Sequence, residues 1–148
     1  MSIVKNRLTK RSLSALETKN NIFNTALLLF AQYGFDKVTV DDITKYAGVS
    51  KGSFYTHFES KESVLVDQFR KIDNHYEQVF KNVPPNESAG NRLLILVGAM
   101  TDYCANVCGL GPLKVVYASQ ISPGINTKIL INQDRRFYVL IRDIVKRG

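Results

Sequence analysis

The chain has 148 residues, 45% of them hydrophobic, with a formal net charge of +7 and a pI near 9.5. That balance supports a packed core, excludes wholesale disorder, and favours an anionic partner: nucleic acid first, an acidic membrane surface second. Cys104 and Cys108 are too few for a disulfide framework, and the longest apolar run, Leu93 to Met100, is broken by Gly98 and falls far short of a bilayer span of roughly 20 residues.

Residues 1–15 read as a basic arm carrying Lys5, Arg7, Lys10 and Arg11, with no acid before Glu17. The arm has no apolar h-region, so it is not a signal peptide, and the expected setting is cytoplasmic with reduced thiols. A helix is predicted over Leu16–Tyr33, where Ile22, Phe23, Ala26, Leu27, Phe30 and Ala31 recur at spacings of three and four. Gly34 supplies its stop. Thr39 then caps a short helix, Val40 to Tyr46, with Asp42 three residues on in a capping-box pattern and both Asp41 and Asp42 suited to the positive helix end. Gly48 ends it. Ser50 caps a third helix, Lys51 to His57. Three short helices with a glycine turn between the second and third spell a helix-turn-helix.

Ser60 caps a long helix running to about Asn82, with Glu62 in its first turn and a stripe that includes Val64, Leu65, Phe69, Ile72 and Tyr76. Pro84-Pro85 marks the linker after it. Leu93 to Cys108 is apolar on most faces and predicts a buried central helix. A break at Gly109–Pro112, a short helix over Leu113–Ser119, a turn at Ser122-Pro123-Gly124 and a last helix from about Asn126 to Lys146, bearing Ile129, Leu130 and Phe137, complete the chain. No strand is expected. The fold class is all-α, divided into an arm (1–15), a helix-turn-helix domain (16–60), and a linking helix with part of a helical regulatory domain (61–148).

The third helix carries the chemistry. Phe54 and Phe58 stand four apart and share one inward face. Lys51, Gly52, Ser53, Tyr55 and Thr56 must then face out. A helix so armed fits the DNA major groove, about 12 Å wide. Lys51 can donate to guanine O6 or N7, or to a phosphate. Ser53 can reach a base edge, and Tyr55 a phosphate through its hydroxyl while its ring packs on the sugar. Gly52 either permits close backbone approach to DNA or is simply tolerated in a first turn. Thr39 sets a hydroxyl and helix N-terminal N–H groups toward one strand, an anion site. Lys61 adds a full charge, and His57 can donate to a phosphate or serve the fold.

Phe30-Ala31-x-x-Gly34-Phe35, Thr39-Val40-x-Asp42-Ile43, Ala47-Gly48-Val49-Ser50-Lys51-Gly52-Ser53-Phe54-Tyr55-x-His57-Phe58 and Ser60-Lys61-Glu62 resemble the N-terminal signature of the tetracycline-repressor (TetR) family. The resemblance covers about Asn21 to Val66. It implies a bacterial transcriptional regulator, usually a repressor, that binds a palindromic operator as a homodimer. It implies base or backbone contacts at Lys51, Gly52, Ser53 and Tyr55 and phosphate contacts at Thr39, His57 and Lys61; Ser50, the cap of the third helix, is counted with them as a DNA-binding residue. It further implies a small apolar or amphipathic effector bound in the C-terminal domain, no other cofactor, and two further long helices beyond Lys146-Arg147-Gly148 that build the dimer.

The C-terminal half lies outside that signature. Met100, Tyr103, Cys104 and Val107, joined by Tyr117, Phe137 and Tyr138, are candidates for an apolar effector pocket, each also readable as ordinary core. Cys104 and Cys108 read as small buried hydrophobes rather than a thiol sensor, and without nearby histidines they make a weak zinc site. An enzyme is disfavoured, for no catalytic triad, phosphate-cradling loop or paired carboxylates appear. A helical membrane-surface or protein-interaction module is the rival reading, but the arm has only scattered Ile3, Val4, Leu8 and Leu13 and no apolar face.

Overall fold

The computed structural model describes residues 9–121 and 132–147. Among them the chain is all-α: α1 (Lys10–Tyr33), α2 (Val40–Ala47), α3 (Lys51–His57), α4 (Lys61–Phe80), α5 (Ala89–Asp102) continuing into a π-helical segment (Tyr103–Cys108), α6 (Leu110–Ile121) and α7 (Arg136–Arg147).

Hydroxyl caps start five of these helices. Thr9, Thr39, Ser50, Ser60 and Ser88 each accept a hydrogen bond from a backbone N–H three residues on. Thr39 and Asp42 close the full capping box, and Ser60 with Ser63 closes a second.

Two apolar clusters organise the molecule. The first joins Ile22, Ala26 and Phe30 of α1 to Ile43 of α2, Phe54 of α3 and Leu65 of α4, and it also takes in Val115 from α6. The second joins Ile72 and Tyr76 of α4 to Leu96 and Ala99 of α5, Tyr103, and Leu140 and Ile144 of α7. Helix α4 serves both, so it is the shared wall. Burying a side chain such as Phe54 contributes about 1.5–3 kcal/mol. Polar ties reinforce the apolar contacts. Lys19 of α1 pairs with Asp67 of α4 at 3.1 Å, and the Lys71 ammonium lies 3.3 Å from the Phe23 ring centre. Burial lowers the Lys71 pKa, the Asp67 carboxylate opposing that shift.

Several boundaries differ from the sequence expectation. α1 begins at Lys10, not Leu16, because Thr9 caps Ser12; Leu13 and Leu16 stay exposed, so no apolar stripe announces these turns. Lys10 and Arg11 therefore belong to a helix rather than to an arm, while Lys5 and Arg7 lie outside the described residues. α5 is not buried all round: Leu94 and Val97 are 70% and 53% exposed, and only Leu96 and Ala99 are buried. The sixth helix is longer than expected, since a proline is tolerated in a first turn. The last helix does not run through from Asn126: Asn132 accepts the Asp134 N–H in a side-chain turn, and α7 starts at Arg136. The predicted turn at Ser122–Gly124, with Ile129 and Leu130, lies outside the described residues. No helix among those described is long and apolar enough to cross a membrane.

Candidate nucleic-acid interface and effector cavity

The α2–α3 corner is built by glycine and serine. Gly48 adopts φ 67° and ψ 34°, a left-handed conformation that a Cβ would strain. Its N–H reaches Lys45 O at 3.3 Å, Val49 N–H reaches Thr44 O at 3.0 Å, and Ser50 Oγ then caps Ser53 N–H at 3.0 Å. Asn21 of α1 braces the corner by donating to Ala47 O at 2.8 Å. Sequence pattern does not reveal that brace, because the partner lies 26 residues away.

Helix α3 divides its side chains as its spacing requires. Phe54 is fully buried and Phe58 nearly so, with ring centroids 5.8 Å apart. Lys51, Gly52, Tyr55 and Thr56 are exposed; Ser53 and His57 are half-buried. The Tyr55 ring sets its edge against Phe54 and leaves over half the residue in solvent. A Cβ built on Gly52 meets only Ser50 Oγ at 3.7 Å, an ordinary contact, so nothing in the fold demands glycine there.

Two candidate cations are already engaged. Lys51 Nζ lies 2.6 Å from Asp41 Oδ1, both side chains being well exposed, and that hydrogen bond raises the lysine pKa. Asp41 is therefore a residue of this surface as well as a helix-end charge. Lys61 is the second of these. Its Nζ donates to Phe35 O at 2.9 Å and Val38 O at 3.0 Å, and it sits 4.4 Å over the Phe35 ring. It pins the α1–α2 connection to the start of α4. The Thr39 hydroxyl is exposed but hydrogen-bonded to Asp42 Oδ2 at 2.6 Å. That bond, with the Thr39 backbone N–H, holds the Asp42 carboxyl below its ordinary range.

The second candidate site is a cavity of about 290 Å³ between α4, the end of α5, α6 and the start of α7. Six of the seven candidate residues line it: Met100, Tyr103, Cys104, Tyr117, Phe137 and Tyr138. Val107 does not; it is 60% exposed and borders a smaller cleft with Phe23 and Lys71. Phe69, Ile72 and Tyr76 from α4, Leu113 from α6 and Arg135 also line the cavity. The α4 residues were readable as a stripe, but a stripe does not say whether it meets a core or a void. Burial pushes the Tyr103 phenol up to about 12 and the Tyr76 phenol higher still, so both remain neutral donors at physiological pH. Burial also raises the Cys108 thiol, which contacts Gly109 O at 3.0 Å; a raised pKa disfavours the reactive thiolate. Among the described residues no three His, Cys, Asp or Glu side chains converge as metal ligands.

Residues 22–67 match the family model for bacterial regulatory proteins of the tetR family. The chain is 46% identical over 50 residues to the uncharacterized HTH-type transcriptional regulator YerO of Bacillus subtilis strain 168, a match covering 34% of this chain and 17% of that protein. It is 44% identical over 46 residues to the biofilm operon negative transcriptional regulator IcaR of Staphylococcus aureus strain Newman, covering 31% of this chain and 25% of that protein. The matches thus span a quarter or less of these curated relatives. Among solved structures, a tetR family transcription regulator from Shewanella sp. PV-4 superposes with a TM-score of 0.60 at 25% identity, covering 88% of this chain and 69% of that one. The fatty acid degradation regulator FadR of Bacillus halodurans shares the fold, with a TM-score of 0.55 at 23% identity over 88% of this chain and 62% of that one.

Proposed function

We propose that this chain is a TetR-family regulator, cytoplasmic and binding DNA sequence-specifically. In this reading it acts as a homodimeric, effector-responsive repressor on a palindromic operator. The observation that carries the reading is the outer face of α3, exposed and polar above a fully buried Phe54. A helix so anchored can enter a major groove without unfolding its own core.

Each residue then has a task. Lys51 exchanges Asp41 for a guanine edge or a phosphate. Ser53 reads a base edge, Gly52 lets the backbone approach, and Tyr55 reaches a phosphate. The N-terminus of α2, with Thr39, presents N–H groups to the opposite strand. Ser50 preserves the cap on which α3 depends, and His57 donates at its far end.

The cavity supplies the switch. α6 links the cavity to the core of the head: Leu113 and Tyr117 line the cavity, while Val115 packs into the cluster that holds the DNA-reading head. α4 likewise runs from the head to the cavity wall. An effector that binds one arrangement of α4 and α6 better than the other shifts operator affinity. A coupling of about 1–3 kcal/mol corresponds to roughly 5–150-fold. The test is selection from random duplex DNA followed by binding at several salt concentrations. An enriched palindrome with steep salt dependence supports the reading; weak binding with no enriched sequence removes it.

A further inference from the structure

Arg135 is the charged group on the cavity wall. It precedes α7, and its side chain is only 10% exposed. Its Nε and Nη2 donate to the two carboxylate oxygens of Asp73 on α4 at 3.2 and 2.9 Å, and its guanidinium lies 4.5 Å over the Phe69 ring. Arg135 lines the cavity and Asp73 does not. The half-buried pair therefore sets its positive member on the cavity wall. A guanidinium carries five N–H donors in a fixed fork, and Asp73 takes two of them.

The rest of the wall agrees in sign. No carboxylate is among its described residues, and the phenols of Tyr76 and Tyr103, which also line it, carry no negative charge. An organic cation entering here would meet a like charge in a low-dielectric space with no wall carboxylate to receive it. An anion would gain charge-assisted hydrogen bonds, while Phe69 and Phe137 cover an apolar body. On the reading of this cavity as the effector site, we propose that the effector is a small amphipathic organic acid whose carboxylate competes with Asp73 for Arg135. The competition has a structural consequence. The Asp73–Arg135 pair ties α4 to the start of α7, and α4 holds α1 through Asp67 and Lys19. Sharing Arg135 with a ligand loosens the first tie and frees α4 to move with the head.

The test is calorimetric titration of the full chain with three probes of one shape: 4-ethylbenzoate, 4-ethylbenzamide and 4-ethylbenzylamine. The acid is expected to bind about tenfold or more tightly than the amide, and the amine least. Asp73→Asn removes the competitor and should strengthen acid binding while leaving amide binding unchanged; a merely structural Asp73 would weaken both. Arg135→Gln should erase the acid preference. Because that change strands a half-buried carboxylate, the Asp73→Asn/Arg135→Gln pair serves as the folded control, and it should bind acid no better than amide. Equal binding of acid and amide by the unaltered chain, or an acid preference that survives in the double variant, overturns the acid class and leaves the cavity as an effector site. Failure of all three probes to bind overturns both.

Discussion

Lys61 and Tyr55 divide the candidate DNA contacts into side chains the fold consumes and side chains it leaves over. Lys61→Met strands the carbonyls of Phe35 and Val38, and should destabilise the chain by about 1–3 kcal/mol in urea unfolding. Tyr55→Phe should leave the urea midpoint in place and weaken DNA binding across sequences. An unchanged midpoint for Lys61→Met, with DNA affinity lost, would return Lys61 to the phosphate-contacting group. The two glycines separate in the same way. Gly52→Ala has room for its methyl and should stabilise the fold by up to about 0.5–1 kcal/mol while weakening operator binding. Gly48→Ala, at positive φ, should cost about 1–2 kcal/mol of stability. Asp42 adds a pH dependence. Its folded pKa is lowered, so its contribution is full above the ordinary carboxylate value of about 4 and is lost as pH falls through the lower folded value. Thermal melts across acid pH should show a shallower loss in Thr39→Val, which removes the hydroxyl bond. At this scale the capping box was legible, because its partners are three residues apart. The tie from Lys61 to the α1–α2 connection was not, because its carbonyl partners stand 26 and 23 residues upstream.

Helices were legible where an apolar stripe and a cap agreed, as in α2, α3 and α4. They blurred where one of the two was missing. The first turns of α1 have a cap in Thr9 but no buried face, and so read as an arm. α5 has apolar residues on nearly every side, and periodicity then cannot say which face is covered. The π-helical segment at Tyr103–Cys108 is invisible to a 3.6-residue period, and it holds Val107, the one pocket candidate that lies off the cavity. α6 is the clearest case of an element whose importance is purely tertiary. Its sequence offers a short apolar helix; the fold sets Val115 against the head and Tyr117 against the cavity. Val115→Ala should cost about 1–2 kcal/mol of stability through lost burial. It should also shrink the effector-induced change in operator affinity more than it changes operator affinity itself. Fluorescence anisotropy with labelled operator, with and without effector, measures both quantities. Equal shrinkage of the two would mean that α6 supports the head but does not couple it to the cavity.

The net charge of +7 says that an anionic partner is expected but not which surface meets it. In the head the basic residues are interleaved with acids, and the one cation on the outer face of α3 is paired with Asp41. Lys10 and Arg11 stand differently. They open α1 with no acid in its first turn, where the helix dipole repels cations. A local arrangement that disfavours itself makes sense if the charges face phosphate. Replacing both with Gln should therefore relieve α1 slightly while weakening DNA binding at low salt. Each lost phosphate contact lowers the slope of log K against log salt by about 0.9, so the proposed dimer, losing two per protomer, should lose about 3–4 units. The preferred operator sequence should not change, because backbone contacts position the protein without reading bases. A slope that stays the same while the selected sequence shifts would mean that these residues read bases, and the charge that meets the phosphates would then have to be sought elsewhere on the head.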